Sequence, residues 1–590
     1  MRTFLMVMAT ALLLSSGCAR EVKKTPVAAG PTPAQRQMLF GLDTVHGAFD
    51  AAYAPKDWKK IHSGWDLDQE IARAKKRVMA NPSITLPEYR KILNDFFDSP
   101  KDYHVGVRFL STESAELPFG VIGVQGRYFV SWMKKSKLPQ DVDFQVGDEV
   151  VRFGGEPIAQ VIARLKRDRG GNTSETDQRL AERDLTRREA RRGMVVPQGP
   201  VSVGYIDADG QRHSEWIPWK YEEETITLPG MSRGGGEPTL EPEPIETMDF
   251  DPVLMAGAVT MDPVARRRAS DGRDPQAMGS REGFLPLIGE RLQWRAAQNL
   301  LFHAYVSTND QGVRIGFIRI PTYSPKGLME YAQAASVIIA EFERRADVMV
   351  IDQTNNGGGM VMYMLGLLSM LTDRPMALPK ERVTLTASDV SRNREWAQWL
   401  ERIRTPSQLR HVRGAQRFDI GVFLHGYAID MRWTRTMHEV ATFKISEWQA
   451  GRTYTQPTYL AGIDHIAPHP AAHFTKPIIV LTNAEDFSCA DFFPAILQDS
   501  GRALIMGSRT AGAGGYVHTV SYPPNMLGIE SFRMTGSLAE RINHQPIENL
   551  GVQPDVPYAL TVEDIKGGYK AYARAINDVI NSRFASSIPR

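Results

Sequence analysis

Cysteine is almost absent from this sequence, since its 590 residues include only Cys18 and Cys489. If Cys18 is removed or modified at a processed N-terminus, no intramolecular disulfide can form, even in an oxidising compartment. A scaffold stabilised by disulfides is therefore excluded. Cys489 is then a free thiol, and its simplest interpretation is a small buried residue.

A strong charge of either sign is also missing. Lysine and arginine number 70 against 68 aspartates and glutamates, and the net charge at pH 7 is +2. The basic runs 179–192 and 266–268 are short, which is typical of a solvated face or loop. We therefore expect no nucleic-acid partner and no electrostatic attraction to an acidic membrane.

The N-terminus has the pattern of an export signal. Arg2 precedes an apolar run, residues 4–14, which is too short to cross a bilayer as a permanent helix. The letters SSGC follow, and their Cys18 resembles the lipidated cysteine of bacterial lipoproteins. Because Ser15 replaces the leucine that is usual in that signal, a plain secretory signal remains open.

The same pattern predicts where the protein resides. We expect a signal peptide over residues 1–18 and a flexible tether over residues 19–37. The protein would then be exported to the bacterial cell envelope, either as a periplasmic or outer-membrane lipoprotein or as a secreted protein. Its contact with the membrane would be limited to the lipid on Cys18.

Residues 38–115 predict a helical region that ends in a strand. Apolar residues recur at helical spacing between Met38 and Phe97. The letters DYHVGVRFL then alternate apolar and other residues, which predicts a strand whose polar face carries His104.

Residues 116–221 predict a β-rich module, and the next segment changes character. The letters GDEVVRFGGEP at 147–157 are similar to the turn–strand–turn of PDZ domains, which bind extended peptide ends by adding a strand to a sheet. An ordinary hairpin is the simpler alternative.

Residues 222–286 are rich in proline, glycine and charge and lack periodicity, so we expect an exposed insert or linker there.

Residues 287–590 alternate apolar strands with helices, which is typical of an α/β domain built on β/α crossovers. We expect a mixed sheet with flanking helices. Residues 382–470 interrupt this alternation and are interpreted as an insertion of unassigned structure. The predicted fold class is thus an α/β catalytic domain joined to an N-terminal helical region and a β-rich PDZ-like module.

Two strand-to-helix junctions of this domain carry candidate functional residues. The first is the glycine turn, residues 355–359, whose backbone amides could approach a ligand closely, although a plain tight turn fits equally well. The second places Ser488 at a helix N-terminus. The letters SCAD at 488–491 form a capping box, so Ser488 either only caps the helix or attacks a carbonyl beside the free amides.

Three blocks of residues, in order, resemble the tail-specific (C-terminal processing) serine peptidases. The letters DQTNNGGG at 352–359 are similar to the family's D-L-R-x-N-x-G-G turn. Residues 483–507 resemble its nucleophile helix and the run that follows, and GVQPDV at 551–556 resembles its closing motif. The resemblance implies a serine peptidase whose nucleophile is Ser488 and whose substrates are proteins or peptides.

One departure from the family changes the expected mechanism. The family takes its general base from a lysine in a T-x-G-K-G turn, but the corresponding residues 510–514, the alanine turn, carry Ala513 in that place. A serine hydroxyl needs a base within hydrogen-bonding reach. The branch that resembles the chlamydial protease-like activity factor uses a serine–histidine–glutamate triad, which implies His104 as base and Glu548 as its partner.

The resemblance also implies the oxyanion donors and a regulatory segment. The donors would be the backbone amides of Cys489 and Gly358, with Gly357 as a neighbouring alternative. In this branch an inserted segment can occupy the cleft until it is cut, which makes residues 222–286 a candidate inhibitory and processing segment. A second copy of the chain, in a homodimer, is kept as a candidate partner.

Two other functions are compatible with parts of this sequence. A catalytically inactive protein that binds peptides or hydrophobic ligands on the same fold would also explain the missing lysine. A metal site at His465, His469 and His473 is disfavoured, because Pro468 and Pro470 break the helix that would align them. We expect neither a metal nor a cofactor.

Overall fold

The computed structural model describes residues 30–140, 142–169, 171–225, 274–297, 302–521 and 527–584. The predicted signal peptide, most of the predicted tether and most of the predicted insert lie outside the described residues. Within these ranges, no helix is both long enough and apolar enough to span a bilayer.

Helices form the N-terminal region, as the apolar spacing predicts. They are α1 (Pro33–Ala52), α2 (Lys56–Ser63), α3 (Leu67–Ala80) and α4 (Leu86–Asp98). Thr32 and Thr85 begin α1 and α4 with capping boxes, in which the hydroxyl accepts a free N–H of the first turn. Residues 33–37 therefore belong to α1 and not to a flexible tether, which corrects the predicted boundary.

The strand predicted around His104 begins later than expected. β1 spans Gly106–Phe109, and His104 lies in the turn before it. The Asp102 carboxylate accepts a hydrogen bond from the His104 N–H at 2.9 Å, and the Asp102 carbonyl accepts one from the Val105 N–H at 3.0 Å. These bonds fold the backbone into a turn. His104 is consequently buried and does not lie on the polar face of a strand.

The PDZ-like module follows. Its elements are β2 (Ser114–Glu116), β3 (Phe119–Val124), β4 (Arg127–Met133), β5 (Glu149–Phe153), β6 (Glu156–Pro157), α5 (Ile158–Arg167), α6 (Ser174–Thr186), β7 (Arg187–Glu189), β8 (Pro200–Ile206), β9 (Arg212–Pro218) and β10 (Lys220–Glu222). One sheet has the order β3-β4-β5-β8-β9, with β6 paired to β5, and a smaller sheet has the order β10-β2-β7. Apolar residues of the larger sheet and of both helices share one core.

The α/β domain begins after the insert. Its first elements are β11 (Arg291–Arg295), β12 (His303–Thr308), β13 (Arg314–Arg319), α7 (Leu328–Arg345), β14 (Val348–Asp352), α8 (Val361–Ser369), β15 (Met376–Ala377) and β16 (Lys380–Val383). The insertion for which the sequence assigned no structure contains α9 (Ala387–Leu400), β17 (Ala415–Phe418), β18 (Gly421–Leu424), β19 (Tyr427–Ile429), α10 (Met431–Gln449), β20 (Thr458–Tyr459) and β21 (His465–Ile466).

The rest of the domain completes the main sheet. Its elements are β22 (Ile478–Thr482), α11 (Cys489–Asp499), β23 (Leu504–Gly507), β24 (Val517–Ser521), β25 (Ile529–Thr535), β26 (Ser537–Glu540), β27 (Val556–Pro557), α12 (Val562–Lys566) and α13 (Lys570–Arg583). The sheet order is β11-β12-β13-β14-β22-β23-β27, parallel from β13 onward and antiparallel at β11 and β12. The predicted mixed sheet with crossover helices is therefore observed, and both junctions lie at the carboxyl ends of adjacent strands, β14 and β22.

The N-terminal region is joined to the α/β domain by strand pairing. β1 pairs antiparallel with β25, and β25 pairs with β24, which gives a sheet of order β1-β25-β24. Phe532 and Met534 of β25 pack into the same core as Phe97 of α4 and Phe109 of β1. This pairing delivers His104 to the α/β domain.

The last part of the predicted insert is packed rather than exposed. Gln276, Ala277 and Ser280 are buried, and the Gly279 N–H donates to the Asn355 carbonyl at 2.9 Å. Arg319, itself fully buried, donates from Nε to the Ser280 carbonyl at 2.7 Å. Residues 274–286 are therefore part of the α/β domain, because the Gly279 N–H and the Ser280 carbonyl form hydrogen bonds with buried groups of that domain.

Arg319 generates a first prediction. Its Nη1 donates to Asp352 Oδ2 at 2.8 Å, and both side chains are fully buried. Arg319→Met leaves the Asp352 carboxylate uncompensated, so we expect a loss of about 3–5 kcal/mol of unfolding free energy, measured by urea denaturation. Arg314→Met, on the same strand, removes a partly exposed pair with Asp347 and should cost about 0–1 kcal/mol. Equal losses in the two variants would contradict the prediction.

Candidate active site

Ser488 lies at the tight turn between β22 and α11, as the sequence predicts for a helix start. Its φ of 58° and ψ of −119° are unusual for a residue with a Cβ atom. Its side chain is buried, and its N–H donates to Asp491 Oδ2 at 2.9 Å. Strained backbone of this kind is concentrated at functional sites, where the surrounding structure holds it in place.

The Asp491 carboxylate holds the alanine turn against the helix that begins after Ser488. It accepts hydrogen bonds from the Gly512 N–H at 2.8 Å, the Ala513 N–H at 3.0 Å and the Thr510 hydroxyl at 2.5 Å. Burial raises the pKa of Asp491 to about 6, and these donors act against that shift. The sequence indicated Asp491 only as a member of a capping box, so its role as a clamp was missed.

The glycine turn contacts Ser488 directly. A Cβ atom on Gly358 would lie 2.6 Å from the Phe487 carbonyl oxygen and 2.7 Å from Ser488 Cβ, and its φ is +84°. Only glycine fits this close approach. The Phe487 N–H also donates to the Asn356 carbonyl at 2.9 Å, which ties the two junctions together.

The predicted oxyanion donors occupy different situations. The Gly358 N–H donates to Asn356 Oδ1 at 2.9 Å, so it is engaged inside its own turn. The Cys489 N–H belongs to the first residue of α11, where helix amides have no acceptor in a preceding turn. Gly357 is buried beside them. The Cys489 thiol is buried and donates to the Gly359 carbonyl at 3.2 Å, which agrees with its interpretation as a small buried residue.

His104 is brought beside the nucleophile segment by its neighbour. The ring centroids of Tyr103 and Phe487 are 5.6 Å apart in an edge-to-face contact, so the residues that precede His104 and Ser488 touch. Both ring nitrogens of His104 are buried, and neither has a hydrogen-bond partner among the described residues. The His104–Ser488 hydrogen bond of a triad is therefore not formed in this structure.

Asp102 anchors the turn that carries His104. Its carboxylate accepts hydrogen bonds from the Tyr53 hydroxyl at 3.1 Å and from the Thr535 hydroxyl at 2.8 Å, in addition to the His104 N–H. Burial lowers the pKa of His104 to about 4, and the negative charge of Asp102 opposes that shift. Asp102 was not singled out in the sequence, although an aspartate two residues before the histidine is a common turn signal.

Glu548 is fully buried and is bound by a lysine that the sequence did not indicate. Lys59 Nζ of α2 lies 2.5 Å from Glu548 Oε1, and the Gly514 N–H donates to Oε2 at 3.2 Å. Lys59 also donates to the Lys101 carbonyl at 2.9 Å and to Asn549 Oδ1 at 2.8 Å. Three acceptors, on Glu548, Lys101 and Asn549, thus surround Lys59 Nζ, which matches the three donors that a lysine side chain can offer.

These contacts define what the site brings together. Ser488, the glycine turn and the alanine turn are joined by direct hydrogen bonds or close packing, while His104 and Glu548 lie on two neighbouring segments. Burial raises the pKa of Glu548, and Lys59 opposes that shift. No sequence pattern pointed to Lys59, because its letters KDWKK read as an ordinary amphipathic helix.

The histidines of the disfavoured metal site differ in burial and in hydrogen bonding. His465 is exposed on β21, whereas His469 is buried and its Nδ1 accepts the N–H groups of Ala471 and Ala472 at 3.2 and 3.0 Å. Across the described ranges, no group of three or more histidine, cysteine, aspartate or glutamate side chains is arranged to hold a metal ion.

Comparison with known families matches both folded modules. The PDZ domain model matches residues 113–226, and the model of peptidase family S41 matches residues 314–558. Proteins of Chlamydia muridarum and Chlamydia trachomatis are 35% identical to this chain over 574 and 573 residues, and each alignment covers 92% of both chains. These matches confirm the predicted fold class.

Solved structures give the same result. Mature chlamydial protease-like activity factor (CPAF) has a TM-score of 0.77 at 31% identity, covering 94% of this chain and 99% of that chain. Its complex with lactacystin has a TM-score of 0.77 at 31% identity and covers 93% of this chain and 99% of that chain. A CPAF mutant with a serine replaced by alanine has a TM-score of 0.79 at 31% identity, covering 93% and 98%.

The burial of His104 generates a second prediction. A folded-state pKa lowered to about 4 means that the native protein binds fewer protons than the unfolded chain between pH 6.5 and 4. The stabilisation from the neutral ring is fully present above pH 6.5 and is lost as the pH falls through 4. NMR titration of the ring, assigned by comparison with His104→Phe, should give a midpoint well below 6.5. A midpoint at or above 6.5 would contradict the burial argument.

Proposed function

This chain belongs to peptidase family S41, and on that premise we propose that it cleaves peptide bonds through an acyl-enzyme formed on Ser488 by a serine–histidine–glutamate triad. It is a serine-type peptidase, and its substrates are proteins or peptides. The observation that carries the proposal is the contact between Tyr103 and Phe487, which sets the segments of His104 and Ser488 side by side.

In the proposed first step, Ser488 Oγ attacks the carbonyl carbon of the scissile peptide bond while a ring nitrogen of His104 takes the hydroxyl proton. The buried ring is neutral at physiological pH, as a general base must be. The tetrahedral intermediate then collapses as the imidazolium returns the proton to the leaving amine. Water hydrolyses the resulting ester by the same proton transfers in reverse.

The negative oxygen of the intermediate needs donors fixed in advance. The Cys489 N–H at the start of α11 is favourably placed by the helix dipole. The second donor comes from the glycine turn, where the Gly358 N–H must leave Asn356 Oδ1 or the neighbouring Gly357 N–H must serve. Removing one such donor typically lowers turnover by about 10²–10³-fold.

Two hydrogen bonds must form before this chemistry can proceed. The His104 ring nitrogens have no hydrogen-bond partner in the described ranges, and Glu548 is bound by Lys59. Catalytic hydrogen bonds are often absent from a free enzyme and tighten when substrate binds. Glu548 is held in place by Lys59 and by the Gly514 N–H, and we propose that it stabilises the imidazolium once the His104 ring turns toward it.

The alternative is an inactive protein that binds peptides or hydrophobic ligands on the same scaffold. It is favoured by Ala513, which stands where the family has its lysine and is buried in one apolar cluster with Phe487, and by the His104 ring, which has no partner among the described residues. The strained Ser488 and the close approach of Gly358 favour the enzyme, since ligand binding alone requires neither.

A fluorophosphonate probe, which labels activated serines, tests the triad. We expect the wild type to be labelled, Ser488→Ala to be unlabelled, and His104→Ala and Glu548→Gln to label about 10²–10⁴-fold more slowly. Ser500→Ala, at the end of the same helix, and His544→Ala, at an exposed turn, are the matched controls and should label normally. Unchanged labelling of His104→Ala would sink the triad, and an unlabelled wild type would favour the inactive protein.

We further propose that the peptidase is activated by self-cleavage within the predicted insert, residues 222–286, at a bond that precedes its packed end, residues 274–286. Support comes from the proline- and glycine-rich composition of this segment, most of which lies outside the described residues. Mass spectrometry of purified wild type should detect two fragments cut within this range, and Ser488→Ala should remain intact. Cleavage of both proteins would show that another protease is responsible.

The cellular setting is part of the same proposal. The N-terminal pattern supports export to the cell envelope with a lipid on Cys18, or secretion after a plain signal. A homodimer is retained as the candidate assembly.

A further inference from the structure

We infer that Arg533 is a specificity residue that binds an acidic side chain of the substrate close to the scissile bond. This inference rests on the proposed function, because it concerns the same site. It assigns a substrate class: peptides and proteins with aspartate or glutamate near the cleaved bond.

Arg533 lies next to the proposed base by strand register. It pairs with Gly106 across β1 and β25, and it shares a face of β25 with Thr535, two residues further on. The Thr535 hydroxyl donates to Asp102 Oδ2 at 2.8 Å, and Asp102 Oδ1 accepts the His104 N–H at 2.9 Å. A short chain of contacts therefore connects the face that carries Arg533 to His104.

Arg533 has no partner within the part of the chain that the structure describes. No described residue forms a hydrogen bond or an ion pair with its guanidinium group, and its Nε is buried without a partner. Asp102 is the nearby carboxylate, but its oxygens are already bonded to Tyr53, Thr535 and His104. A buried guanidinium N–H without an acceptor raises the free energy of the folded state. An anion bound to Arg533 would remove that penalty, and the described residues do not supply one.

The face beside Arg533 has room for such an anion. A Cβ atom placed on Gly106, directly opposite, would meet nothing within 4 Å. On the other side Arg533 pairs with Thr519 of β24, which is small and exposed. Arg533 itself is partly exposed. A substrate side chain that lies over Gly106 would therefore meet no neighbouring atom at that position.

The surrounding charges select a carboxylate. Burial, together with Arg108 and Arg192, lowers the pKa of Arg533 to about 10, so it remains a cation at neutral pH, and Asp102 opposes the shift. Arg108 lies two residues along β1 from Gly106, on the same face. A guanidinium group matches the two oxygens of a carboxylate, whereas the amide of asparagine or glutamine offers only one acceptor.

The test measures cleavage of a set of quenched peptides. The peptides share one sequence and carry Asp, Asn, Glu, Gln or Lys at each of three positions on either side of the bond. For the wild type we expect kcat/KM to be about 10–100-fold higher for the acid than for its amide at one position. Arg533→Gln should lower kcat/KM for the acidic peptide to the value for its amide counterpart. It should change kcat/KM for the amide peptide little. Arg533→Glu should turn the preference toward lysine.

Controls separate specificity from folding. Arg191→Gln removes an arginine that is already paired with Glu530, a residue of the strand that carries Arg533. The substrate preference of this variant should match that of the wild type. Because Arg533 lacks a partner among the described residues, Arg533→Gln should keep the unfolding midpoint. Arg533→Lys, which keeps the charge but loses the planar fork, should show an intermediate preference even if the glutamine variant unfolds.

The outcomes distinguish this inference from the proposed function. Cleavage of the set by the wild type without any preference for acids, or a preference that survives in Arg533→Gln, would overturn the inference and leave the peptidase standing. A wild type that cleaves none of the peptides and is not labelled by the fluorophosphonate probe would overturn both.

Discussion

The pairing of β1 with β25 is the constraint on which the site depends. It joins the N-terminal helices to the α/β domain through a shared core that contains Phe97, Phe109 and Phe532. The hydrogen bond between Asp102 and Thr535, 433 residues apart in the chain, is fixed by this pairing. Without this pairing, the contact through Asp102 and Thr535 would not hold the turn of His104 near the turn that carries Ser488. The placement of the proposed base therefore depends on a strand contact that takes no part in the proposed chemistry.

Buried charges in this protein are paired at the places where segments meet. Arg319 joins the last part of the predicted insert to Asp352 at the end of β14, and Lys59 joins α2 to Glu548. Each pair is fully buried, so removing one partner leaves an uncompensated charge. Such pairs contribute little net stability compared with apolar residues, but they admit few alternative arrangements. In this site they fix which segments lie beside Ser488.

Arg533 departs from that pattern. It is a cation near the site, and no described residue pairs with it. Its charge acts in the same direction as burial in lowering the pKa of His104. A substrate carboxylate on Arg533 would reduce that effect and make the ring a stronger base at the moment of binding. Substrate recognition and base strength would then be coupled through one electrostatic interaction.

The sequence by itself determined the features that are local in the chain. The strand–turn–helix around Ser488, the glycine turn and the capping box of Asp491 each follow from neighbouring residues, because backbone geometry and capping act over a few positions. The strand predicted for His104 was displaced, since the Asp102 carboxylate captures the backbone N–H and makes a turn. Only the tertiary structure decided that Lys59 binds Glu548 and that Arg533 meets no partner among the described residues. Lys59 and Glu548 are hundreds of positions apart in the chain. No local sequence pattern encodes which distant partner, if any, a buried charge will meet.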